Sequence, residues 1–329
     1  IDHAKNFAAI YGDKYMKVSE EERRKALVAF ALPLNIEGLE RDLAKYRIHY
    51  DRWFRESTLH ADGSVMKVVE LLKEKGHTYE AEGATWFKAT EFGADKDFVL
   101  VRSNGVPTYV VPDIAYHYGK LVTRGYDKAI DVLGADHHGY VPRLKAALQA
   151  LGVDPDRLDV VLMQMVRLIR DGEVVKASKR SGKAITLVTL LDEVPIDAAR
   201  FYFNLREANS QFDFDLDLAV EQSSQNPVYY VQYAHARICS ILKKLAAEGV
   251  SPRKVTREEL EALSTAEEIA LIRHIARFPA EIIEAAKAYD PAKMTRYALD
   301  LATLFHKFYT ACKVYGEDES LMQARLALC

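Results

Sequence analysis

Four short stretches of this chain carry side chains able to do chemistry. The first is DGEVVKASKRSGKAITL, residues 171–187, where Lys176, Lys179, Arg180 and Lys183 crowd around Ser178, Ser181 and Gly182 after an Asp-Gly turn. Ammonium groups and hydroxyls donate to phosphate oxygens, glycine admits close backbone approach, and positioned cations stabilise charge developing on a phosphoryl group in flight. The same composition suits a solvated loop between a hairpin and a helix, and composition leaves both readings open. It is not a P-loop, because the order G-x-x-x-x-G-K-[ST] is absent.

The second stretch is GADHHGY, residues 134–140, in which Asp136, His137 and His138 directly follow an apolar run. Imidazole and carboxylate are both metal ligands, but adjacent histidines diverge and no CxxC or HExxH partner exists, so no permanent metal is expected. One histidine stacking on a base or donating to a phosphate is one alternative; a polar cap on a strand-to-helix turn is another. In TYVVPDIAYH, residues 108–117, Asp113 follows Pro112 and precedes a helix, which makes it a natural N-cap. A carboxylate there, beside Tyr109, also suits a cationic substrate, with the tyrosine ring packing on a guanidinium. In NPVYYVQYAHARI, residues 226–238, Tyr230 and Tyr233 share a helix face. Such rings are core side chains or, when exposed, stacking platforms for unpaired bases, and Arg237 could add a phosphate contact.

These residues need a frame. With 329 residues, 49% of them hydrophobic, the chain predicts two domains with ample core for each. A net charge of −3 argues against a surface coated in positive charge, without excluding a local nucleic-acid footprint. No run of about 18 apolar residues occurs, so no membrane span is expected. Three cysteines without metal or disulfide spacing (Cys239, Cys312, Cys329) point to a reducing, cytoplasmic setting. The chain opens and closes inside helical patterns, with neither an initiator Met nor a Gly or Asn stop, which predicts an internal fragment.

Apolar spacing predicts helices over 20–47 and 63–76. YEAEGATWFK and FVLVRSNGVPTYVV read as hairpins, the second around a type I′ turn at Asn104-Gly105. KAIDVLGADHHGYVPRLKAALQALGV reads as strand, glycine-rich loop and a helix over 141–151, and LDVVLMQMVRLI as a further buried strand. Strands alternating with helices imply an α/β fold with a doubly wound parallel sheet, whose ligands sit at the carboxyl ends of the strands. That places Asp113, the 134–139 loop and the 176–183 loop on one rim. After about residue 213 the pattern becomes long amphipathic helices, an all-α bundle, with the boundary in the acidic SQFDFDLDLA, residues 210–219. The division expected is therefore 1–212 and 213–329.

Taken in order, RSNGVPTYVVPDIAYH, GADHHGYVPRLKAAL, QMVRLIRDGEVVKASKRSG, DAARFYFNLR and NPVYYVQYAHARI resemble the bacterial arginyl-tRNA synthetases, a family of class I aminoacyl-tRNA synthetases. The resemblance covers essentially the whole chain. It implies the second part of a Rossmann-like catalytic domain followed by a helical anticodon-binding domain, truncated at its end. KASKR resembles the KMSKS loop that closes on ATP, with Lys176 and Lys179 at its lysine positions and Ser178 at its serine. Lys176, Lys179, Arg180 and His137 are then the expected ATP contacts. Ala177 departs from the large apolar residue usual there, and Lys183 from an Asn. Tyr109, Asp113 and Asp136 match arginine-contacting positions; Tyr230, Tyr233, Arg237 and Tyr297 fall at expected anticodon contacts.

The implied activity is arginine–tRNA ligation: arginine is adenylated by ATP with Mg2+, then transferred to the 3′ end of its tRNA. The resemblance implies a cytoplasmic enzyme, monomeric when complete. The family's other ATP element, the HIGH motif, precedes this region, and no H-x-G-H occurs in the 329 residues. That absence keeps a non-catalytic tRNA-binding descendant as the alternative; a metal-dependent hydrolase built on Asp136, His137 and His138 is a remote third.

Overall fold

A computed structural model of the chain describes residues 2–175, 186–316 and 318–329. They divide into two compact units, one formed by the described residues up to Trp53 together with 186–200, the other by those of 54–175 and 201–329.

The larger unit starts from short strands. β1 (Thr78–Ala81), β2 (Ala84–Phe87) and β3 (Phe98–Val101) form an antiparallel sheet, in which β1 and β2 are the first predicted hairpin. The turn after β3 differs from expectation. Only Gly105 has positive φ, its N–H donates to Arg102 O, and Asn104 Oδ1 accepts from Val106 N. A type I′ turn needs positive φ at both central residues, so this is instead a type I turn closed by a left-handed glycine. The return arm is a single bridge at Pro107, and the chain coils at once into the helix Val110–Tyr118. Pro112 lies in that helix's first turn, where the missing N–H has no intrahelical partner to lose. The helix can therefore begin before the proline. Asp113 is consequently inside the helix, and Tyr109, not Asp113, occupies the N-cap position.

β4 (Ala129–Gly134) and β5 (Leu158–Met163) pair in parallel across the connecting helix Val141–Ala150. The stretch LDVVLMQMVRLI is two strands, not one. Gln164 N–H donates to Ala208 O, the chain turns, and β6 (Val166–Arg170) joins a different sheet. There β6 lies between β7 (Glu173–Val174) and β8 (Phe212–Asp215), antiparallel to the first and parallel to the second. Asp171 and Gly172 both have positive φ, at 52° and 76°, which is the type I′ geometry a two-residue hairpin favours. β8 occupies part of the acidic 210–219 stretch, so strand structure persists slightly beyond residue 213.

Val68, Leu72, Phe87, Leu100, Val111, Ile114, Leu144, Leu148 and Leu158 make one buried core beneath β4 and β5. Ile130 and Val132 of β4 are exposed. One carboxylate locks this layer. Asp131 Oδ2 accepts from His117 Nε2 at 2.6 Å, and Oδ1 from Lys120 Nζ at 3.1 Å. His117 Nδ1 donates to Asp113 O at 2.8 Å, so β4 is tied to the helix through a buried imidazole. Burial opposes ionisation of Asp131, but the hydrogen bonds and charges of His117 and Lys120 together outweigh it and hold the carboxyl below its usual range.

The same unit carries the predicted bundle: helices Pro227–Ala247, Ala266–Ala276, Phe278–Ala288, Ala292–Ala311 and Glu319–Leu328 around Leu245, Leu271, Phe305, Phe308 and Met322. Asn226 starts the first, accepting from Val228 N and Tyr229 N while donating to Ala219 O and Glu221 O. Thr265 and Glu268 form a capping box, and buried Glu268 also pairs with Arg325 at 2.8 Å. The bundle docks on β5 through Tyr289, a left-handed residue (φ 51°) whose hydroxyl donates to Asp159 Oδ2 at 2.6 Å. Lys128 Nζ donates to the same oxygen.

The smaller unit is helical. Ser19 caps the predicted long helix Glu20–Lys45, with Glu22 N–H donating to its hydroxyl. The helix Asp2–Tyr11 packs on it through Phe7, Tyr11 and Phe30. Thr186 caps Leu187–Glu193, and Asp197 bonds Arg47 at 2.9 Å.

Replacing Asp131 by Ala strands the Lys120 ammonium and the buried imidazole, and removing one partner of a buried charged network costs about 3 kcal/mol or more. A clear drop in thermal midpoint is expected for the whole protein. Because the carboxyl's pKa is depressed, its contribution is present above the unfolded-state value and is lost as pH falls through the folded one. The gap between wild type and Asp131→Ala should therefore narrow in acid.

Candidate functional site

The helix Val110–Tyr118 and the turn after β4 converge on Asp113. Tyr140 Oη donates to Asp113 Oδ2 at 2.5 Å, across 27 residues of sequence. The Tyr140 ring lies near Tyr109, with centroids 6.4 Å apart and 28° between planes, and edge-on to His137 at 6.4 Å. Tyr109 itself is 73% exposed. Burial, then the Asp113 carboxylate, push the Tyr140 hydroxyl well above its ordinary pKa, so it is a standing donor at working pH. Among the described residues Asp113 Oδ1 has no hydrogen-bond partner. The two groups thus leave one carboxylate oxygen unengaged beside an open aromatic face, a combination suited to a planar cation.

Asp136 and His137 stand on the short turn Ala135–His137. Both are exposed, and His137 Nε2 is 3.9 Å from Asp136 Oδ2. A Cβ at Gly134 would lie 2.5 Å from Asp136 Oδ1, so the glycine leaves room for that carboxylate to fold back. Among the described residues no group of three or more His, Cys, Asp or Glu side chains is arranged to share a metal ion. Lys176, Ser178, Lys179 and Arg180 lie outside the described residues, as do Ala177 and Lys183.

A second cluster sits on the bundle. The Arg237 guanidinium is held between the rings of Tyr233 and Tyr309, at 4.7 and 4.6 Å from their centroids. Its Nη2 donates to Tyr233 Oη at 2.8 Å and its Nη1 to His306 Nδ1 at 3.2 Å. Burial and then the Arg237 charge hold His306 below its ordinary pKa, consistent with a neutral ring accepting at Nδ1. Tyr229 lies parallel to Tyr233 at 6.2 Å, and Tyr230 packs on His306 at 4.8 Å. Tyr233 and Tyr309 are exposed. Tyr297, expected as a stacking position, is 7% exposed and is core. Its ring stacks on His274 at 4.2 Å and its hydroxyl donates to His274 O, which leaves no face for a base.

Sequence reasoning missed Tyr140, His117, Asp131, His306 and Tyr309 as members of these clusters. His117 had a signal, its i,i+4 spacing from Asp113. Tyr140 had none beyond its place in GADHHGY, since only tertiary folding brings it to Asp113.

The family model for the catalytic domain of class I tRNA synthetases (R) matches residues 38–239, and that for the DALR anticodon binding domain matches 231–329. The chain belongs to the arginine–tRNA ligase family. The arginine–tRNA ligase of Caldanaerobacter subterraneus subsp. tengcongensis is 57% identical over 328 residues, all of this chain and 58% of that protein. That of Ruminiclostridium cellulolyticum is 51% identical over 327 residues, 99% of this chain and 58% of its own length. The chain thus spans under three fifths of these curated relatives. A Campylobacter jejuni crystal structure described as an arginyl-tRNA synthetase superposes with TM-score 0.86 at 33% identity, covering 99% of this chain and 70% of that one. The Thermus thermophilus arginyl-tRNA synthetase (TM-score 0.75, 23% identity, 94% and 63% covered) shares the fold. The expected architecture, a class I catalytic part followed by an all-helical anticodon-binding domain, is the one found in this family. Among the described residues no helix is long and apolar enough to cross a membrane.

Replacing Arg237 by Ala removes one of the two influences that depress His306. Its imidazole should then titrate at higher pH, short of the ordinary value because burial remains; proton NMR titration of the ring reads this directly.

Proposed function

We propose that this chain supplies the ATP-loop half of the catalytic domain and most of the anticodon-binding domain of a working arginine–tRNA ligase. An arginine carboxylate oxygen bonds to the α-phosphorus of Mg2+-bound ATP as the bond to the β-phosphate oxygen breaks, giving arginyl-adenylate and pyrophosphate. A terminal ribose hydroxyl of the tRNA then attacks the arginyl carbonyl and AMP leaves. The observation that best supports this reading is the Asp113 carboxylate with one oxygen tied by Tyr140 and the other unengaged beside exposed Tyr109. A guanidinium matches both, by charge-assisted hydrogen bond and by stacking.

In this reading Tyr109, Asp113 and Asp136 take the arginine. Lys176, Ser178, Lys179, Arg180 and His137 serve ATP, with Lys176 and Lys179 stabilising the departing pyrophosphate; no permanent metal takes part. Catalysis is positioning and charge stabilisation, without a covalent protein intermediate. Tyr233 and Arg237, flanked by Tyr230, present the surface for anticodon bases. We place the boundary between the two domains just after β8, because that strand pairs with β6. The complete enzyme is taken to be monomeric and cytoplasmic.

Arginine-dependent ATP–pyrophosphate exchange by the complete protein, with tRNA present, tests the assignment. Lys179→Ala should lower the rate about 100-fold or more, the scale for removing one donor to developing charge, with tRNA affinity little changed. Undiminished exchange would overturn the role of Lys179, and tRNA binding without any exchange in the wild type would favour a non-catalytic binding protein. Tyr233→Ala should weaken tRNA binding about tenfold, the worth of one stacked base, while arginine and ATP affinities hold; filter binding reads the loss.

A further inference from the structure

We propose that Tyr140 is the positioning residue for Asp113, setting the direction of its free oxygen and thereby the selection of a guanidinium. The inference rests on the arginine reading of Asp113 and adds a residue to it. Asp113 is held at two points. Its backbone carbonyl accepts from His117 Nδ1, and His117 is anchored by Asp131 on β4. Among the described residues its side chain is held only by Tyr140, whose hydroxyl takes Oδ2. The first contact fixes where the residue is; the second fixes how the carboxylate is turned about its last torsion, which is otherwise soft.

Tyr140 is suited to the task because it is constrained itself. It is partly buried at the start of the helix Val141–Ala150, whose Leu144, Ala147 and Leu148 are in the core. Its ring lies near that of Tyr109, close to parallel, and near His137, edge-on. A phenol presents a single donor on a rigid arm, and a short O–H···O− bond to a carboxylate is among the stronger neutral-to-charged contacts. With Oδ2 occupied, an incoming cation meets Oδ1 in one orientation, next to the exposed Tyr109 face. Without the hydroxyl the carboxylate has no directional restraint, and a head group gains less from its shape.

The test compares the complete wild-type enzyme with Tyr140→Phe, Asp113→Asn and the double variant, each assayed below its melting temperature. Tyr140→Phe should raise the KM for L-arginine about tenfold, the scale of a hydrogen bond to a charged group, with the KM for ATP unchanged within about twofold. Asp113→Asn should raise the arginine KM more, and adding Tyr140→Phe to it should change nothing further, since the phenol would then have no carboxylate to orient. If Asp113→Asn leaves the arginine KM untouched, the arginine reading of Asp113 fails. If Asp113→Asn raises it while Tyr140→Phe does not, or the two effects multiply independently, only the role given to Tyr140 is overturned.

Discussion

One half-buried carboxylate organises the catalytic part of this chain. Asp131 projects from the middle of β4 and takes one hydrogen bond at each oxygen, from His117 and from Lys120. A lone carboxylate in that position would be expensive, and the two donors are what make it tolerable. Their reach has a geometric effect. His117 and Lys120 follow the Asp113 turn by four and seven residues, so satisfying Asp131 fixes the rotation of the helix Val110–Tyr118 against the sheet. Asp113 and exposed Tyr109 are thereby set beside the turn after β4, where Tyr140 meets them.

The helical half rests on a different device. Its core is apolar, but the starts of its helices are set by side chains. Asn226 satisfies two helix N–H groups and two upstream carbonyls at once, which places the first residue of the tyrosine-rich helix with little freedom. From that origin Tyr229, Tyr233 and Arg237 fall at successive i,i+4 positions along one side. The facing helix contributes His306 and Tyr309 three residues apart, and the guanidinium between two phenol rings is the outcome.

Local chemistry was legible in the sequence where one residue decides it. Asp171-Gly172 announced a hairpin, and the apolar run before GADHHGY announced a parallel strand. The family could be read from five motifs in order, because several spaced motifs are jointly specific where each is weak. What escaped was the result of distant pairing. LDVVLMQMVRLI reads as one strand until Gln164 turns to bond Ala208, and Asp113 reads as a cap until Pro112 is seen to be harmless in a first turn. Tyr297 could have been placed: with Leu301, Phe305 and Phe308 it lies on the stripe that packs inward. The resemblance drew it toward the surface against its own periodicity.

Tyr289 carries a consequence for how this sequence can drift. Its left-handed backbone costs on the order of 1 kcal/mol for a bulky residue, and glycine or asparagine would sit there more comfortably. Neither can reach Asp159, so relaxing the backbone detaches the bundle from β5 at that point. Two demands on one residue pull in opposite directions, and only an aromatic alcohol meets the longer-range one. The position is a small evolutionary trap, in which every locally easier substitution loosens the joint between the two halves of the larger unit.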